Sequence, residues 1–142
     1  MAQALWMRLR EVQWKDYEVS EGSSERLEKI LQDLASRKRA RAMKASHDVW
    51  RMLCRNGVRS AAVVVVPYLV EIIEISTEDV QLEIADILKS CVVGVGGVRE
   101  NWQDDLVRAL QRVEPELRRY HKKATGDYSI ALSGVLDLVE DL

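Results

Sequence analysis

The chain has 142 residues, 47% of them hydrophobic and 31% charged, enough for one domain with a core and too apolar for a disordered chain. Two prolines, seven glycines and no phenylalanine are poor material for a turn-rich sandwich or barrel and good material for helices joined by short loops. The net charge of −2 argues against nucleic-acid binding by bulk charge, but residues 1–60 hold 13 Lys/Arg against 8 Asp/Glu and residues 61–142 hold 8 against 15, so the two halves offer unlike faces to a partner.

Residues 1–22 are amphipathic but irregular. Trp6, Leu9, Val12 and Trp14 are expected to pack as a cap over the first helix pair, and Gly22 breaks the segment. No long apolar run of a secretory signal is visible there. Ser23 or Ser24 is a suitable N-cap, with Glu25 in the first turn, for a helix over about 24–36 that buries Leu27, Ile30, Leu31 and Leu34. A second helix is expected over about 37–56, stopped by Asn56-Gly57. At about 100° per residue its Ala42, Val49, Trp50 and Leu53 group towards the core. Arg37, Arg41, Lys44, Arg51 and Arg55 fall within a stripe about 80° wide on the opposite side, with Asp48 the one acid inside it.

The stretch AAVVVVPYLVEII, residues 61–73, reads at first as a strand or a membrane segment. A span needs about 20 apolar residues, and Glu71 interrupts this run. A strand needs a pairing partner, and no second convincing strand is present. A helix is therefore expected, with Pro67 opening or bending it because proline is tolerated in a first turn. Thr77 should cap the next helix, with Glu78 and Asp79 in its first turn and Val80, Ile84, Ile87, Leu88 and Cys91 inward, ending near Gly94 in the loop GVGG. Asp79, Glu83 and Asp86 share another side of that helix. A further helix over 99–113 turns Trp102, Leu106, Ala109, Leu110 and Val113 inward, bends or restarts at Pro115 and runs to about Lys123. Gly126 precedes the last helix, about 127–141.

The two prolines expose an internal repeat. At an offset of 48 residues, Pro67 matches Pro115, Leu69 matches Leu117, Thr77 matches Thr125, Asp79 matches Asp127 and Leu88 matches Leu136, with no gap. Helix pairs with a period of about 40–48 are the signature of HEAT or armadillo arrays. The expected fold is all-α, a single domain over 1–142: a right-handed HEAT/armadillo-like array of about three antiparallel helix pairs (23–57, 61–94 and 98–142) behind the N-terminal cap. The middle pair is covered on several sides, which accounts for its valine run.

LREVQW (Leu9 to Trp14), GSS (Gly22 to Ser24), LQDLAS (Leu31 to Ser36), WRMLCRNG (Trp50 to Gly57) and VPYLVEII (Val66 to Ile73) together resemble bacterial HEAT-like repeat proteins, common in actinobacteria, mostly without an assigned activity. The resemblance covers most of the chain. Two places depart from the family pattern: Arg55 stands where a histidine usually follows the cysteine, and EISTEDV (Glu74 to Val80) stands where a fuller helix-breaking motif is common. Some members look like immunity proteins that neutralise toxins, and the resemblance implies that role as an expectation.

No catalytic or metal-binding constellation emerges. His47 borders the apolar side of its helix and His121 lies in the basic RRYHKK. A nucleophile also needs an orienting group and a pocket, and a metal needs three or four converging ligands. Cys54 and Cys91 read as two buried free thiols in a reducing cytosol. GVGG follows a helix rather than a strand and is no dinucleotide fingerprint, and the adjacent Asp104-Asp105 do not face each other on a helix. No cofactor is implied. The expected partner-binding residues are Arg37, Arg41, Lys44, Arg51 and Arg55 with Asp79, Glu83 and Asp86, lining a groove positive at one end and negative at the other. The function expected is a non-catalytic, cytoplasmic protein-binding module, an immunity protein against a toxin being one form of it. The alternatives are a nucleic-acid binder using the basic stripe, disfavoured by charge and by the lack of interleaved aromatics, and a subunit of a larger assembly. Exposed Leu136 and Val139 on the last helix would mark a dimer seam in the latter case.

Overall fold

The computed structural model describes residues 3–95 and 100–142, and within them the protein is all-helical. The helices are α1 (Leu5–Glu11), α2 (Leu27–Leu34), α3 (Arg39–Cys54), α4 (Ala61–Ile73), α5 (Glu78–Val93), α6 (Asn101–Lys123) and α7 (Gly126–Glu140), with short 3-10 turns at Trp14–Asp16 and Ser24–Arg26. Consecutive helices pack as the pairs α2–α3, α4–α5 and α6–α7. Across the pairs, α3 packs on α5, α5 on α7, and α4 on α6. The core runs continuously between these elements, from Leu9 and Trp14 to Val139. The expected start of the third pair at 98 and the Gly96 and Gly97 of GVGG lie outside the described residues.

Helix α2 is entered through the 3-10 turn Ser24–Arg26, and the Ser23 side chain accepts a hydrogen bond from the Glu25 amide. All four apolar residues expected to face inward from α2 are buried. The chain leaves α3 through Gly57, whose φ of +96° is strained for any residue with a Cβ. At the same end of the layer, Gly94 closes α5 against Val58. A Cβ added at Gly94 would stand 2.2 Å from Val58 Cγ2, so the glycine is needed for close approach.

The valine run is helical throughout, but Pro67 neither opens nor restarts it. The proline lies inside α4, and Pro115 lies likewise inside α6. Both are exposed. A proline in a helix interior costs about 3 kcal/mol. Apolar burial on both sides of it, by Val65, Val66, Leu69 and Val70 in α4, outweighs that at about 1.5–3 kcal/mol for each large side chain. The other matched positions also fall in corresponding places. Leu69 and Leu117 are fully buried, Leu88 and Leu136 are buried, and Thr77 and Thr125 hold the N-cap positions of α5 and α7. The side chain of Thr77 does not cap, however. Its hydroxyl donates to Asp79, and the Asp79 carboxylate accepts from the Val80 amide.

Two expectations at the ends of the chain are corrected. Leu136 and Val139 are buried within the chain, 6% and 2% exposed, because α7 packs on both α5 and α6. They offer no dimer seam. At the N-terminus Leu9 and Trp14 are buried but Trp6 is 49% exposed, so the cap rests on two of its four expected residues with Val12 half-buried. The segment is also a strap. Glu18 O accepts from the Ala61 amide at the start of α4, Ser60 Oγ accepts from the Glu18 amide, and Met52 O near the end of α3 accepts from the Ser20 amide. Helix ends that would be left without partners are thus satisfied by residues before the first pair.

Candidate functional site

Helices α3 and α5 lie side by side in parallel, and three approaches mark their register. Arg39 pairs with Asp79 near the two N-terminal ends. Two turns on, His47 Nε2 lies 4.0 Å from Glu83 Oε2. At the far end Cys54 and Cys91 come near enough for each thiol to shift the pKa of the other. Between the second and third of these contacts the surface dips into a shallow depression of about 400 Å³ lined by His47, Trp50, Arg51, Glu83, Asp86 and Ile87.

Trp50 overturns an expectation. It does not face the core but is 41% exposed. On a helical wheel it sits at the edge of the buried arc of α3, where 100° steps place it beside Leu53 and Ser46, and the neighbouring α5 fills the space below without covering the ring. His47 is likewise out of the apolar side, its side chain 60% exposed. Of the other tryptophans, Trp14 is buried with its Nε1 donating to Leu9 O at 2.9 Å. Trp102 is half-buried and donates to Glu100, which with Gln103 forms a capping box at the start of α6.

All five residues of the basic stripe are exposed. Arg37 precedes α3 rather than belonging to it. Arg51 pairs with Asp48 on its own helix, and Arg55 reaches Glu21 of the N-terminal strap at 3.2 Å. Among the described residues Arg37, Arg41 and Lys44 have no ion-pair partner. The acidic row does not form a separate negative end. Asp79 is tied to Arg39 and Glu83 approaches His47, so acids of α5 and bases of α3 stand opposite one another along one seam. The hydrogen bond from Thr77, joined by the Arg39 pairing, holds the Asp79 carboxyl below its ordinary range.

The seam therefore presents an aromatic ring, over the buried Ile87, flanked by an arginine on one wall and two carboxylates on the other. That arrangement suits a partner side chain that is apolar at its centre and charged at its margins. Among the described residues no three His, Cys, Asp or Glu side chains converge as metal ligands, and no helix is long and apolar enough to cross a membrane. Comparison of the chain with family models, with curated proteins and with solved structures returned no match.

Proposed function

We propose that this protein is a non-catalytic, protein-binding module built as a short HEAT-type array of three helix pairs, and that it docks its partner on the α3–α5 seam with Trp50 as the anchor. The observation that carries the reading is the exposed indole set between Arg51 and the Glu83–Asp86 wall. Tryptophan and arginine are the side chains most often found to dominate binding energy, and rows of opposite charge fix orientation and speed encounter. The corresponding places of the residues 48 apart support the array. The resemblance to actinobacterial HEAT-like proteins makes a toxin the partner of first choice, and inhibition by occupation of a surface needs no chemistry of its own.

The test is a tagged pull-down from the native host, with and without nuclease, run with wild type, Trp50→Ala and the Arg41→Glu/Arg51→Glu double variant. All three should fold alike, because the altered side chains are exposed. The expected result is one stoichiometric protein that survives nuclease with wild type and is lost with both variants. Truncating a central aromatic anchor costs at least about 2 kcal/mol, a roughly thirtyfold weaker complex. Recovery of nucleic acid alone would instead make the basic stripe a phosphate track. Retention of the partner by both variants would move the docking surface elsewhere.

A further inference from the structure

Cys54 and Cys91 are far apart in sequence and lie on neighbouring parallel helices. The parallel packing of α3 on α5, with its register marked by the Arg39–Asp79 and His47–Glu83 contacts, puts Cys54 seven residues beyond His47 next to Cys91 eight residues beyond Glu83. The two thiols differ in access: Cys54 is half-buried at the surface of the seam, whereas Cys91 has no exposed area. We propose that Cys54 and Cys91 form a peroxide-sensitive dithiol that closes reversibly into a disulfide clipping α3 to α5.

The chemistry assigns each sulfur a part. Contact with Cys91 lowers the pKa of Cys54, while the same contact and full burial raise that of Cys91 well above the ordinary thiol value. The accessible sulfur is therefore the one that more readily becomes the nucleophilic thiolate. The oxidant is a hydroperoxide. The Cys54 thiolate attacks the O–O bond; an S–O bond forms, the O–O bond breaks, and the departing alkoxide or hydroxide takes up a proton. The sulfur has lost two electrons and the peroxide has gained them, leaving Cys54 as a sulfenic acid. Cys91 then attacks the sulfenic sulfur. The S–S bond forms, the S–O bond breaks, and hydroxide leaves as water with the Cys91 proton. The bridge lies one helical turn beyond Trp50 and Ile87 on their respective helices, so it fixes the spacing of α3 and α5 next to the depression.

The experiment treats the reduced full-length chain with hydrogen peroxide and then with an alkylating agent under denaturing conditions, and reads the intact mass. The expected product is a monomer lighter by two hydrogen atoms that takes up no alkyl group, and takes up two after dithiothreitol. Peptide mapping should place the link between Cys54 and Cys91. In Cys91→Ser the Cys54 sulfenic acid should persist and be trapped by dimedone, while in Cys54→Ser the buried Cys91 should stay unmodified at the same peroxide dose. The proposal is overturned if wild type yields a Cys54-linked dimer, if Cys54 proceeds to sulfinic acid with Cys91 still alkylatable, or if both thiols remain free. The wild-type measurement decides the matter even if a variant folds poorly, and it does not depend on any partner.

Discussion

Helices α4 and α6 hold the same place in successive pairs, and their sequences could hardly differ more. Aligned on their internal prolines, Val63, Val64, Val66 and Val70 of α4 face Gln111, Arg112, Glu114 and Arg118 of α6, while Val65 and Val113, and Leu69 and Leu117, agree. The shared positions are buried in both helices. The differing ones follow the cover. On one side α4 has α6; on the other it has the N-terminal segment, from which Arg8 bonds Glu71 and stacks 5.9 Å from the Tyr68 ring centre. Helix α6 is the outermost of its row, and the flank matching Val66 and Val70 carries the Arg118–Glu114 pair instead, while on the side of α4 Arg119 bonds Glu116 and reaches Glu74. Hydropathy along a helix thus reports its neighbours, and only the positions common to both report the element itself.

The sharpest way to break this comparison is to exchange the differing residues. Val66→Glu would place a carboxylate where the side chain has no exposure. It should cost at least about 4 kcal/mol and leave little folded protein in a urea titration. Glu114→Val, the reverse change at the matching site, should alter stability by no more than about 1 kcal/mol. If both were tolerated, the cover of α4 would be looser than described.

The prolines are what the two helices share most visibly, and each is exposed inside its helix. Replacing either with alanine should stabilise the protein by about 2 kcal/mol or a little more, the helix-interior penalty of roughly 3 kcal/mol less the about 0.4–1 kcal/mol that proline gains by restricting the unfolded chain. A higher thermal midpoint for both Pro67→Ala and Pro115→Ala is the expected reading. A fall in one alone would mean that its ring packs on something the other lacks.

The second helices of the pairs permit a finer comparison. Where α5 has Val80, α7 has Tyr128, 48 residues on, and both are buried. Among the described residues the Tyr128 hydroxyl has no hydrogen-bond partner, and burial, with a smaller contribution from Tyr120, pushes its pKa up to about 12. Tyr128→Phe should therefore be neutral or stabilising by up to about 1 kcal/mol. A raised phenol pKa favours the folded state while the group is protonated. Its contribution is complete below the unfolded value near 10 and is lost as pH rises towards about 12. The thermal midpoint of wild type should drop more between pH 9 and 11 than that of Tyr128→Phe. Equal slopes would remove Tyr128 from the account.

The smallest effect concerns the strap. The Arg8–Glu71 pair is roughly one-third to two-fifths exposed, so Arg8→Ala should cost less than about 1 kcal/mol, and less still at high salt. A loss that persists in salt would point to the Tyr68 contact.

Much of this architecture could be read from the residues. Helical spacing located α2 to α7 within a few positions, and five residues 48 apart landed in corresponding places because each is tied to a local need: a proline on the open face, a leucine in the core, a threonine at a helix start. Trp50 was misread because wheel geometry knows the centre of a buried arc better than its edge. Whether an edge residue is covered depends on the distance to the next helix. The meeting of Cys54 and Cys91 was invisible for a related reason. It follows from the register of α3 on α5, which the packing between the two helices sets and no pattern within either helix encodes. Leu136 and Val139 were judged by chain position, as though the last helix must leave its apolar side open, although α7 turns that side onto α5 and α6.

The three helices of the seam layer begin at the same edge: Arg39 meets Asp79 there, and Gly126 lies beside Glu78. Their macrodipoles consequently add instead of cancelling, and each brings roughly half a positive charge to that rim. Helices α5 and α7 answer with Glu78, Asp79 and Asp127 in their first turns, whereas α3 has no acid of its own there and starts with arginine. Asp79 is therefore the counter-ion of two helix ends at once, and the electrical polarity of the whole layer is balanced at its weakest corner by one borrowed carboxylate.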